Sequence, residues 1–104
     1  MLEKNNENKL MVVFNKPVAF EGKDYGDVDL SGLERLTAGD LIKADGEFSQ
    51  MGQFSVMNEL TMGYACILSA KATGKPIAFF EQLPAREGLK VKNIVMSFLN
   101  EQAS

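Results

Sequence analysis

The sequence predicts an α+β fold, an N-terminal β-hairpin packed on three to four α-helices, as one domain over about residues 10–99. Three observations carry this. Two β-rich stretches between Leu10 and Leu30 flank turn chemistry at Glu21-Gly22. The run Ser55–Gly74 places apolar residues at helical spacing between a start signal and a stop signal. A second helical stripe begins after Leu89. At 104 residues, 45% hydrophobic and 24% charged, the chain has the size and balance of a single domain that builds its own core.

Taken in order, Met1–Lys9 carries three asparagines and little to bury, and reads as a disordered tail. Leu10–Phe14 is a strand that Pro17 either ends or confines to a sheet edge. Gly22 is free to take positive φ in the turn that follows. From Tyr25 to Leu30, alternation turns Val28 and Leu30 to a core and sets Tyr25, Asp27 and Asp29 on the other face. Leu33 and Leu36 flank a short turn. Thr37 and Asp40 then have the spacing of a capping box, ahead of Leu41, Ala44, Asp45 and Phe48. Gly39 and Gly46 each weaken a helix by roughly 1 kcal/mol against alanine, so about two turns are expected, followed by a loop over Ser49–Phe54.

The central helix is expected over 56–73. Ser55 is its cap, Val56, Leu60, Gly63, Tyr64 and Ile67 form its stripe, and Gly74 and Pro76 end it. Its other face carries Asn58, Met62, Ala65 and Ser69, and only Glu59 and Lys71 are charged. Such a helix is either surrounded by its own domain or offers a second face to another protein. Pro76 opens a short helix with Ile77, Phe80 and Leu83 on one side. In the last helix Val91, Ile94, Val95, Phe98 and Leu99 form the buried face, Leu89 and Met96 fall off it, and residues 100–104 are polar and frayed.

The residue inventory narrows the chemistry. There is no histidine, the commonest general base and transition-metal ligand, and one cysteine cannot build a structural zinc site. Cys66, in an apolar helix without a neighbouring cation, reads as a packed side chain rather than a nucleophile. No stretch matches a phosphate-cradling glycine loop. Asp27, Asp29, Ser31 and Gly32 share the opening spacing of a calcium loop, but Ala38 stands where its bidentate glutamate belongs. The reading is therefore a non-enzymatic protein with no metal and no cofactor. A net charge of −3 argues against non-specific nucleic-acid binding, and the apolar runs are too short to span a bilayer. The polar N-terminus is unlike a signal peptide, and a lone cysteine suits a reducing cytoplasm. The Leu10–Phe14 edge could pair with another copy.

Several stretches in sequence order carry a family resemblance. They are Lys16-Pro17-Val18 with Phe20-Glu21-Gly22-Lys23, Leu30-Ser31-Gly32-Leu33, and Leu36-Thr37 with Gly39-Asp40-Leu41. Tyr64-Ala65, Ala70–Gly74 and Pro76-Ile77 follow, then Phe80-Glu81, Leu83-Pro84-Ala85, Val91-Lys92 and Phe98-Leu99. Over about residues 10–99 this order resembles the small tail assembly chaperones of long-tailed bacteriophages and prophages. The resemblance implies binding to the long, helical, hydrophobic tape measure protein in the host bacterial cytoplasm. It also implies assistance to tail tube protein polymerisation, in many relatives through a frameshifted longer form that recruits tube subunits, and absence from the finished virion. A holdase needs an adaptable apolar surface, and six methionines can supply one. Met62, Leu89 and Met96 are the expected client-binding residues, against the plainer reading that they fill core gaps. A structural virion protein of the neck or tail completion type, and a small acidic regulatory or inhibitor protein, are the alternative readings.

Overall fold

The computed structural model describes residues 10–52 and 61–103. The expected N-terminal tail, and the Ser55, Val56 and Leu60 portion of the central helix, lie outside them. Within them the chain is an antiparallel two-stranded hairpin followed by four α-helices, the expected α+β architecture. β1 (Met11–Phe20) and β2 (Lys23–Asp29) are joined by Glu21 at φ 50° and Gly22 at φ 82°. Two consecutive positive φ angles make the turn whose twist matches that of the strands it connects.

The hairpin departs from simple alternation at one place. Val13 pairs with Asp27 and Val18 with Tyr25, so residues 14–17 bulge out opposite Gly26. Pro17 falls in this unpaired stretch, where its missing N–H removes no ladder bond, and β1 runs through it to Phe20 instead of stopping. The bulge also changes which face is buried. Val12 and Val28 are paired and buried on one side of it, and on the other side buried Val18 pairs with Tyr25. Tyr25, expected beside the aspartates, therefore packs against the core.

A 3-10 turn (Ser31–Arg35) buries Leu33 and leads to α1 (Ala38–Gln50). The Thr37 hydroxyl accepts the Asp40 N–H, and the Asp40 carboxylate accepts the Thr37 N–H, which completes the expected capping box. α1 is 13 residues long, not two turns. Ala44 and Phe48 are fully buried, and burying a phenylalanine outweighs the two glycine penalties.

α2 (Met62–Thr73) is the helix the others surround. Its cap is Thr61, whose hydroxyl accepts the Tyr64 N–H from an extended backbone, so this helix begins after Thr61. Six consecutive residues, Tyr64–Ser69, are buried, so the domain encloses that part of the helix. Gly74 ends it at φ 78°, and Pro76 caps α3 (Ile77–Glu81). Phe79 is fully buried, with Phe20, Tyr25 and Phe80 edge-on to it at centroid distances of 5.3, 5.1 and 5.0 Å. A face of Ile77, Phe80 and Leu83 alone misses this residue, because a five-residue helix wedged between hairpin and α2 buries two sides. α4 (Ala85–Ala103) starts before the expected stripe and stays helical past Asn100. Val91 and Val95 are fully buried, whereas Ile94, Phe98 and Leu99 are only partly covered. No helix among the described residues is long and apolar enough to cross a membrane.

Candidate functional site

Where α1 ends and α2 begins, the surface opens into a groove of about 520 Å³ floored by α2 and walled by α3 and the start of α4. Met51, Met62, Cys66, Phe80, Leu83 and Leu89 supply most of its apolar lining, with Glu81 at the rim. Met51 is 39% exposed and Leu89 50% exposed, so two large apolar side chains meet solvent at its mouth. Gly88 keeps the groove open. A β-carbon there would contact the Met62 methyl at 3.7 Å, so the methionine side chain lies over the glycine.

Of the three residues expected to bind a client, Met62 and Leu89 line this one groove and Met96 does not. Met96 lies seven residues beyond Leu89 on α4, which carries it two turns along the helix, roughly 10 Å away. Met51, Phe80, Leu83 and Gly88 were not legible as site residues. Phe80 and Leu83 carried a core signal, which does not distinguish a packed wall from a groove wall. Met51 and Gly88 had no local signal at all.

The groove has little reactive chemistry. Burial pushes the Cys66 thiol up to about 11, and the Glu81 carboxylate adds to the effect. The thiol is therefore protonated near neutrality, a packing group rather than a nucleophile. Of the two aspartates in the calcium-like spacing, Asp29 serves local structure. Asp29 Oδ1 accepts the Ser31 N–H at 2.9 Å, ending β2, and no cluster of metal-ligating side chains occurs among the described residues.

A second polar feature braces the hairpin. Glu87, 4% exposed, accepts the Asn15 N–H through Oε2 at 2.9 Å and holds the Lys90 ammonium 3.1 Å from Oε1. Lys90 also donates to the Val13 carbonyl at 2.9 Å and to Asn15 Oδ1 at 2.8 Å. Burial by itself raises the Glu87 pKa, but the Asn15 N–H and the Lys90 charge more than offset it and hold the carboxyl below the ordinary glutamate value. The brace fixes the bulged part of β1 against α4. It also means that the β1 edge, expected to be open to another copy, is covered at Val13 and Asn15.

Compared with known proteins, the chain matches no family model, no curated protein and no solved structure.

Proposed function

We propose that this chain is a tail assembly chaperone of a long-tailed bacteriophage or prophage, acting by stoichiometric binding of the tape measure protein. It holds apolar helical segments of that client soluble in the host cytoplasm while tail tube subunits assemble around them. It is not a catalyst and leaves before the tail is complete. The order of motifs along residues 10–99 supports the family assignment.

One observation carries the mechanism: an open apolar groove lined by Met51, Met62 and Leu89, with the Met62 methyl lying over Gly88. Unbranched methionines change shape at little cost, so one groove can accept the varied side chains along a long client. The groove holds side chains from one face of a client helix, since an entire helix is about 10–12 Å across. Each large apolar side chain removed from water contributes about 1.5–3 kcal/mol before the ordering cost, which suits reversible holding.

The test is co-expression with the large protein encoded immediately downstream, with and without a longer frameshifted form of this chain. Rescue of the large protein into the soluble fraction and copurification are expected. Met62→Glu with Leu89→Glu is expected to weaken capture at least about tenfold, because the partner's apolar side chains would meet buried charge. Met96→Glu should leave capture intact. A folded double variant that still captures the client would remove the groove from the account. Failure of either form to rescue would remove the chaperone reading itself.

A further inference from the structure

The two edges of the hairpin are unequal. The Leu30 N–H donates to the Leu10 carbonyl at 2.8 Å, which makes Leu10 and Leu30 a hydrogen-bonded pair. In an antiparallel ladder such pairs alternate with non-bonded ones. The pairs Met11–Asp29 and Val13–Asp27 are therefore non-bonded, and their N–H and C=O groups point away from the hairpin. On β1 these outward groups meet α4: Lys90 takes the Val13 carbonyl, and Glu87 takes the N–H of Asn15. On β2 the backbone groups of Asp27 and Asp29 receive no hydrogen bond from any described residue.

Beside this free edge lies a cleft of about 410 Å³ between β2, the 3-10 turn and the C-terminal end of α2. Asp27 and Asp29, both exposed, line it from β2, Arg35 lines it from the end of the 3-10 turn, and Lys75 lines it from just beyond α2, its ammonium 4.6 Å over the Tyr25 ring.

We infer that the β2 edge is a second docking surface, separate from the groove, that takes an extended segment of a partner protein as a third strand. The partner carries Lys or Arg at every second position with uncharged residues between. Residues opposite Asp27 and Asp29 share their face of the sheet, where opposite charges pair favourably and like charges do not. Intervening residues fall on the other face, where neither aspartate pairs with a basic side chain. The same aspartates disfavour a second copy, because β2 against β2 would set aspartate near aspartate. The backbone supplies the affinity and the alternation supplies the selectivity. The groove lies along the N-terminal part of α2 and this surface at its C-terminal end, with Cys66 of the one and Ala72 of the other separated by roughly 9 Å of helix, so the two share no lining residue.

The probe is the peptide Thr-Lys-Thr-Lys-Thr-Lys-Thr, with Lys-Lys-Lys-Thr-Thr-Thr-Thr as a control of equal charge. The readout is amide hydrogen exchange and chemical-shift mapping on the full chain. The alternating peptide is expected to slow exchange of the Asp27 and Asp29 amides at least about tenfold, and the block peptide to leave them unchanged. Asp27→Pro removes an outward N–H and no β1–β2 bond, so the variant keeps the hairpin and should lose the protection read at the remaining Asp29 amide. Asp27→Lys with Asp29→Lys should transfer the preference to the matching glutamate peptide. Equal effects of the two lysine peptides, or protection that survives Asp27→Pro, would reduce the binding to diffuse charge attraction and overturn the inference. So would shifts confined to the Met62–Leu89 groove, or self-association through β2.

Discussion

At its C-terminal end α2 comes so close to the 3-10 turn that a β-carbon on Gly32 would lie 2.0 Å from the Ala72 carbonyl oxygen. At its N-terminal end the corresponding test at Gly88 meets only the Met62 methyl, at 3.7 Å, an ordinary contact with the tip of a flexible side chain. Both glycines lie beside the same helix. One lets backbone approach backbone and sets the position of the hairpin and turn. The other leaves room in front of an unbranched side chain. The contrast separates a part of the molecule that fixes geometry from a part that adapts to what it meets, and the proposed holdase role would use both.

The largest expected effect lies on the rigid side. Phe79→Ala should cost about 3–5 kcal/mol in chemical denaturation, since it empties the centre of the ring cluster with Phe20, Tyr25 and Phe80. Next, Gly32→Ala should cost about 2–3 kcal/mol, because the obstacle is main-chain carbonyl that cannot rotate aside. Gly88→Ala should have the opposite sign: about 0.5–1 kcal/mol of added stability from helix propensity, with weaker client capture as the groove narrows. Equal signs for the two glycine variants would break the comparison.

A smaller effect concerns the brace. Glu87 has a folded-state pKa below its ordinary value, so it stabilises the fold at neutral pH. That contribution is fully present above the ordinary glutamate range and is lost as pH falls from there through the folded value. Asp40 acts in the same sense, because the Thr37 N–H and hydroxyl favour its ionised form. Glu87→Gln should therefore flatten the acid limb of the stability profile, and an unchanged acid limb would count against the brace. Finally, Ser69 is fully buried and its hydroxyl has no hydrogen-bond partner among the described residues, so Ser69→Ala should raise stability by about 1 kcal/mol.

The parts of this architecture that were readable in advance rest on local chemistry. Gly22 in the hairpin turn, the Thr37–Asp40 box, the Gly74 cap before Pro76 and the stripe through Val91 and Val95 each act within a few residues. The unreadable parts depend on distant neighbours. The bulge opposite Gly26 moves Tyr25 to the buried side only because Phe79 waits there. Glu87 looks like a solvated helix charge until Asn15, 72 positions away, donates to it. Of the three residues expected at the site, Met62 and Leu89 converge because the ends of two helices meet, and periodicity alone places Met96 no differently from Leu89.

The most direct measurement is a methyl spectrum of the chain carrying labelled methionines, recorded free and in the presence of the proposed client, the tape measure protein. The Met51 and Met62 resonances are expected to move on binding and the Met96 resonance to stay where it is. A complex that forms while Met51 and Met62 remain unchanged would contradict the groove's proposed role.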